Sequence, residues 1–505
     1  MDCHTILTRA LNARVAEVLP EPTPLDDARR LSERLGTPVL LKREDLTPIF
    51  SFKLRGAYNR IALLDETERA RGVIAASAGN HAQGVAYSAA RLGVRARVVM
   101  PKTTPEIKVE AVRRHGACVD LVGDDYSEAA AYCAELVAAT GMIEIPAYDD
   151  LDVIAGQATI ALEILRQATP DLGSIFVPVG GGGLAGGIAA VIKAVRPQIR
   201  VFGVEPDDSD AMTRSIRAGR RIALDQVGIF ADGVAVRMVG ESTFALCRDY
   251  LDDCVTVSVD EICAGVKDAF EDTRAVLEPA GALAIAGLKR FAREGRIPAG
   301  PAIAIASGAN VNFNRLAFAA ERAALGEDRE AMFAVTIPER RGAFLDFCRV
   351  IGDRNITEFN YRLAARDAAH IFVGVEISGR AEAKEIARLL HERGYRCHDL
   401  TGNELAKSHV RHMVGGRSGG ATDEVLYSFS FPDRPGAFLR FLTMLGDRWN
   451  ISLFHYRNHG GAYGRILCGF ETRGCNRREL RARFNAMGVA YTEETDNPAA
   501  AFFLR

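Results

Sequence analysis

One stretch in the last third of the chain occurs twice. FAVTIPERRGAFLDFCRVIGDRNITEFNYR (333–362) aligns with YSFSFPDRPGAFLRFLTMLGDRWNISLFHYR (427–457) at a constant offset as far as Arg354 and Arg448, and beyond them with one inserted residue. Pro338, Gly342, Phe344, Gly352 and Tyr361 have partners in Pro432, Gly436, Phe438, Gly446 and Tyr456. Each copy reads strand, helix, strand, strand, helix, strand, the second continuing through YGRILCGFET and NRRELRARFNAMG to VAYTEE. That order is the ferredoxin-like βαββαβ unit. The pattern predicts two small α+β domains, 332–404 and 425–497, followed by a tail, 498–505. A linker, 405–424, joins them, and its glycine-rich MVGGRSGGATDE reads as a mobile loop.

The earlier part of the chain has a different rhythm. The runs GVIAA (72–76), RARVVM (95–100), CVDLV (118–122), SIFVPV (174–179), RVFGVE (200–205) and AIAIA (302–306) alternate with helical stretches. Such alternation predicts an α/β domain over 1–323 with buried, largely parallel sheets. A connector, 324–331, lies within a helical stretch, FAAERAALGEDREAM (318–332). A chain of 505 residues, 48% of them hydrophobic, is too long for one core and apolar enough for several. Its net charge of -2, with both signs mixed throughout, creates no field that would draw nucleic acid or anionic lipid. No apolar run approaches the ~18 residues that a membrane span requires. The N-terminus carries acids where a signal peptide would be apolar, so a cytoplasmic location is expected. Ten scattered cysteines with no C-x-x-C pair fit reduced thiols. His409 and His412 (HVRH) lack neighbours in ligand spacing, and no metal is expected.

Three motifs carry chemistry. Gly180-Gly181-Gly182-Gly183-Leu184 follows a strand and opens a helix, an arrangement whose bare amides can cradle a phosphate. Which phosphate is open on this stretch alone. Gly181, Gly183 and Gly186 also satisfy the G-x-G-x-x-G of a dinucleotide site, and Glu205 stands where a ribose-binding acid would. Lys53, in SFKLRGAYN, sits between apolar residues at a helix start. It is either an exposed helix-start lysine or an amine catalyst. Ser77-Ala78-Gly79-Asn80-His81 follows another strand, with Asn80 placed either to cap the next helix or to help bind a carboxylate. A Schiff-base lysine, a phosphate cradle and a carboxylate loop are together what pyridoxal phosphate chemistry requires, and they favour that cofactor over a nicotinamide.

PVLLKREDLTPIFSFKLRGAYN, AASAGNHAQGVAYSAARLG, VPVGGGGLAGG, EPAGALA and ASGANVNF resemble the motif set of the fold-type II pyridoxal phosphate enzymes, specifically the threonine and serine dehydratases. The repeat resembles the paired ACT-like regulatory domains of the biosynthetic threonine dehydratases. The fold expected is therefore a tryptophan synthase β-like catalytic domain followed by two ferredoxin-like domains. The resemblance implies that Lys53 carries the cofactor, that Asn80 meets its ring hydroxyl, that Gly180 to Leu184 bind its phosphate and that Ser307 faces its pyridine nitrogen. Ser77 to His81 would receive the substrate, L-threonine, which would leave as 2-oxobutanoate and ammonia. Ala158 stands where the family has glycine in I-A-G-Q-G-T, which predicts a slightly different helix packing.

The repeated half adds nothing to such an elimination, and reads as a sensor. Gly342 and Gly436 precede helix starts that could hold an amino-acid carboxylate, with Phe344, Phe438, Tyr361 and Tyr456 either lining a side-chain pocket or forming plain core. The resemblance implies isoleucine as inhibitor, valine as its antagonist, and a homotetramer. A serine dehydratase or serine racemase shares the catalytic motifs without the repeat. A non-catalytic amino-acid sensor would be a different class of protein.

Overall fold

The computed structural model describes all residues except 1, 229, 364–366, 409, 414–417, 419–420, 422, 433–436, 447, 458–462, 473–476, 498–503 and 505. Two compact units are present, residues 1–326 and 327–505.

The first unit is built on two sheets. The larger has six strands in the order Leu25–Asp27, Val39–Arg43, Ala302–Ala306, Ser174–Pro178, Arg200–Pro206, Asp253–Val257, parallel except at the first pair. The smaller is a parallel sheet of four, Cys118–Leu121, Ala96–Met100, Val73–Ala76 and Ile143–Glu144. Every residue of Ser174–Pro178, Ala302–Ala306 and Val73–Ala76 is buried, because helices cover both faces. That is why these strands read as continuous apolar runs and not as an alternation.

Close backbone approach places the helix Lys53–Ala62. A Cβ on Gly156 would lie 2.6 Å from the Arg55 carbonyl oxygen, and one on Gly56 2.4 Å from Gln157 Nε2. Only glycines let the helices Lys53–Ala62 and Leu151–Gln167 touch at this separation. Beneath them lies a buried charge network. The Arg55 guanidinium donates to Glu44 at 2.7 and 2.9 Å, to Glu163 at 2.6 and 3.0 Å, and to Thr159 and Thr23. Lys42 also donates to Glu163, at 2.5 Å. Ala158 is fully buried, its methyl 3.3 Å from where a Cβ on Gly187 would stand, so it fills space against the helix that follows the glycine loop.

The second unit contains both βαββαβ copies, Glu330–Pro338 to Arg396–Asp399 and Glu424–Pro432 to Ala490–Glu493. They join edge to edge into one eight-stranded sheet through antiparallel pairing of Ile356–Arg362 with Asn450–Arg457. Each copy carries a bulge at the same place, Thr357 and Ser452, whose hydroxyls donate to the buried carboxylates Glu330 and Glu424. Arg362 of the first copy also pairs with Glu424 of the second, tying the copies together.

Two local expectations change. The helix between the units is Asn314–Gly326, and Glu330 already starts a strand, so 318–332 is not continuous helix. Part of the expected linker is ordered as a helix, Glu404–Ser408, and a 3-10 turn, Val410–His412; most of MVGGRSGGATDE, like His409 and most of the tail, lies outside the described residues.

Candidate active site

The loops that follow three buried strands line one cavity of about 490 Å³. It lies outside the carboxyl ends of Val73–Ala76, Ser174–Pro178 and Ala302–Ala306, where open α/β sheets bind ligands. Lys53, Ser77, Ala78, Gly79, Asn80, His81, Gly180 to Gly183, Leu184 and Ser307 all contribute to its wall.

Lys53 is the first residue of its helix and not an exposed one. Its ammonium donates to the Ala147 carbonyl at 2.8 Å, and burial lowers its pKa to about 8 despite the opposing pull of the Glu278 carboxylate. The turn before it is strained and held from outside. Phe50 has a φ of 55°, unusual for a bulky residue, while its carbonyl accepts from Ala309 N and the next amide but one, Phe52 N, donates to the Ser307 carbonyl at 3.2 Å. Lys53 and Ser307, 254 positions apart in sequence, are thus fixed relative to each other by backbone.

The glycine loop is a cradle that side chains would fill. A Cβ on Gly180 would come within 2.9 Å of Val234 Cα, and one on Gly181 within 2.2 Å of the Tyr148 ring. Gly182 has φ +93°, and Gly183 opens a thirteen-residue helix whose first amides face the cavity end of the strand. Bare amides at a helix N-terminus suit a phosphate ester. The residues present therefore fit pyridoxal phosphate: an amine, a phosphate cradle and a neutral hydroxyl at Ser307. The Ser307 hydroxyl donates to Ala280 O at 3.3 Å and does not tie down its own turn.

Asn80 does not cap its helix. Gly79 is the cap residue and no side chain caps the amides, while the Asn80 carboxamide donates to Glu278 at 2.6 Å and accepts from Asn310 at 2.7 Å. His81 is buried. Its Nε2 donates to the Ile145 carbonyl at 2.7 Å, Nδ1 has no partner, and burial beside Lys53 depresses its pKa to about 3, so it is a neutral positioning group. Glu205 is not a ribose ligand. It is fully buried and accepts from the Met212 and Thr213 amides and the Thr213 hydroxyl, at the start of the helix Ala211–Ala218.

Several wall residues had no assigned part in the sequence reading. Glu278 and Asn310 lie inside the motifs EPAGALA and ASGANVNF, so the signal was present without a role. Tyr148, Lys108 and Asp232 lie in segments with no motif, and only the fold brings them to the cavity.

The pattern of pyridoxal-phosphate dependent enzymes matches residues 17–308, and that of the C-terminal regulatory domain of threonine dehydratase matches twice, at 321–410 and 415–504. The chain belongs to the threonine dehydratase family. It is 54% identical, over the whole of both chains, to a biosynthetic L-threonine dehydratase of Burkholderia multivorans. The processed form of threonine deaminase isoform 2 from Solanum lycopersicum superimposes with a TM-score of 0.62 at 45% identity, covering 64% of this chain and 88% of that one. Maize serine racemase superimposes with a TM-score of 0.58 at 30% identity, over 62% of this chain and 97% of that one. The catalytic part is a fold-type II pyridoxal phosphate enzyme, and the part that follows it is regulatory.

In the regulatory unit the aromatic candidates are mainly core. Phe344 packs on Tyr361 with ring centres 4.8 Å apart, and Phe438 lies 6.1 Å from Tyr456. All four are buried, and the Tyr361 hydroxyl donates to Glu339 at 2.6 Å. Gly342, at φ +78°, and Phe344 border a small cavity of about 10 Å³ with Leu442, Trp449 and Asn450 of the second copy. Gly436 lies outside the described residues.

Proposed function

We propose that this protein is the pyridoxal phosphate-dependent threonine ammonia-lyase of isoleucine biosynthesis, converting L-threonine to 2-oxobutanoate and ammonia under inhibition by isoleucine. The observation that carries the reading is the convergence of the Lys53 amine, the glycine cradle and the Ser307 hydroxyl on one cavity, in a chain whose regulatory unit is duplicated.

Gly180 to Leu184 would hold the cofactor phosphate, Asn80 its ring oxygen and Ser307 its pyridine nitrogen. Bound pyridoxal phosphate supplies an electron sink for ionisation of the substrate Cα–H bond. The residues do the rest. The loop Ser77 to His81, with the amides at the start of the helix Asn80–Leu92, receives the substrate carboxylate, which orients Cα toward Lys53. With its pKa near 8, the Lys53 amine is basic enough to take the Cα proton and neutral often enough at physiological pH to do so. Ser307 is a neutral hydrogen-bond partner, unlike a carboxylate, and so favours prompt loss of the β-hydroxyl over a long-lived carbanion. Water is eliminated first, and the enamine released then takes water back to give the 2-oxo acid and ammonia.

Regulation is assigned to the domains 332–404 and 425–497, at the small cavity between Gly342 and Trp449. The indole Nε1 of Trp449 is buried without a hydrogen-bond partner among the described residues, a donor offered to a ligand carboxylate or carbonyl. A cavity of about 10 Å³ must open to take isoleucine or valine, so effector binding is coupled to movement of one copy against the other. A cytoplasmic homotetramer completes the reading, and the net charge of -2 gives no reason to add a nucleic acid or a membrane.

The second reading, a serine racemase or serine dehydratase, is favoured by the superposition on maize serine racemase. Turnover of L-threonine and L-serine by the cofactor-loaded protein, read as 2-oxo acid, distinguishes them. The proposal expects threonine to be preferred and isoleucine to suppress its turnover. A serine preference with no isoleucine effect would overturn it, and amino-acid binding with no 2-oxo acid at all would make the protein a sensor.

A further inference from the structure

Glu278 is a buried carboxylate that does not serve its own helix. It occupies the N-cap position of the helix Pro279–Arg293, yet its side chain bonds none of the helix amides. It is 5% exposed and lines the cavity. Gly308 makes room for it, since a Cβ there would stand 2.4 Å from Glu278 Oε1.

The hydrogen bonds of its neighbours run in one direction. Asn310 spends its amide protons on Ile49 O, at 2.8 Å, and on Asn80 Oδ1, at 2.7 Å. Asn80 spends one amide proton on Glu278 at 2.6 Å. The carboxamide is thereby oriented from both sides, its oxygen turned to Asn310 and one N–H left over. The remaining N–H of a carboxamide held this way is placed to donate to a ring oxygen, a bond that is strongest to an oxygen carrying negative charge.

Glu278 also acts electrostatically on Lys53, raising the pKa of the amine against the effect of burial. The charged groups facing Glu278 are Lys53 on the helix Lys53–Ala62, Lys108 on Glu106–Arg113, Asp232 in the turn Asp232–Val234 and Arg315 on Asn314–Gly326, with the neutral Asn80 on Asn80–Leu92. Lys108 and Asp232 pair with each other at 2.6 Å. Desolvation and Asp232 push the Glu278 carboxyl up to about 7 against Asn80 and the cations.

We propose that Glu278 is a positioning residue for the cofactor: it fixes Asn80 as a hydrogen-bond donor to the cofactor ring oxygen and favours the protonated form of the Lys53 nitrogen. The inference rests on the pyridoxal phosphate reading of the cavity. Its test is a pH titration of the visible absorption of the loaded full-length protein, combined with the cofactor dissociation constant, in wild type, Glu278→Gln and Glu278→Ala.

The glutamine oxygen can still accept from Asn80, so Glu278→Gln is expected to keep cofactor affinity within about threefold. Its absorbance transition is expected to move down in pH by about one unit, because the charge is gone. Glu278→Ala leaves Asn80 unanchored, and cofactor affinity is expected to fall tenfold or more. If both variants bind as wild type does with an unmoved transition, Glu278 is only structural and the inference is wrong. Should the alanine variant fail to fold, the transition of the glutamine variant decides alone. A wild-type protein that develops no visible band with pyridoxal phosphate would instead refute the cofactor reading beneath it.

Discussion

The Lys53 amine makes a quantitative commitment before any substrate is added. With its pKa lowered to about 8 by burial, roughly one amine in ten is neutral at pH 7. A lysine in water, at about 10.4, is neutral only about once in 2,500. Only the neutral amine attacks an aldehyde, so at pH 7 the cofactor-free protein should capture pyridoxal phosphate roughly two hundred times faster than the same lysine would if solvated. The perturbation is pH. The assay is the rate at which visible absorbance develops on mixing, followed from pH 6 to 10 beside a small lysine amide. The rate for the protein is expected to rise about tenfold per unit up to pH 8 and then flatten, while the small amine keeps rising. A protein rate that climbs tenfold per unit through pH 10 would refute the burial argument. Stability carries the same sign. Between about pH 8 and the unfolded value the unfolded chain binds more protons at this site than the folded one, so the Lys53 contribution opposes folding below that window and is relieved as pH rises through it.

Other expectations are independent of that one. Gly181→Ala drives a methyl to 2.2 Å from the Tyr148 ring, and cofactor affinity measured by equilibrium dialysis should fall at least tenfold. Arg55→Met strips both Glu44 and Glu163 of their buried guanidinium, and should cost about 3–5 kcal/mol in denaturant unfolding; a loss under 1 kcal/mol would contradict the network's importance. His81, with a pKa near 3, should show no imidazole titration between pH 5 and 8 by NMR, and its replacement by asparagine should leave the acid limb of the activity profile in place. Trp449→Phe removes the unpartnered indole donor, and should raise the isoleucine concentration for half-inhibition several-fold.

How much was legible in the sequence follows from how local each signal is. The six named strands of the first unit and the βαββαβ order of both copies were readable because burial on two faces and duplication leave contiguous patterns. Leu25–Asp27 and Ile143–Glu144 were not, since two or three residues carry no period, and neither were Val39–Arg43 and Asp253–Val257, whose charged ends interrupt the apolar run. The split into two sheets and the joining of both copies into one were equally hidden, because strand neighbours far apart in sequence leave no local mark. Lys53, Ser77 to His81, Gly180 to Leu184 and Ser307 were named in advance, whereas Glu278 and Asn310 stood inside motifs without a role. Of the two local readings of Asn80 the capping one falls, as its carboxamide turns to Glu278 and not to its own helix. Glu205 matched a spacing rule that its burial against Thr213 overrides. Tyr148 could not have been named, for nothing in PAYDD announces a ring lying over the glycine loop.

The central claim is that Lys53 is the amine that carries the cofactor in this cavity. Borohydride reduction of the cofactor-loaded protein, followed by peptide mass analysis, tests it directly. The account predicts a single pyridoxyl group on the peptide containing Ser51-Phe52-Lys53-Leu54-Arg55. Label on any other lysine, or reduction that fixes no cofactor, would contradict it.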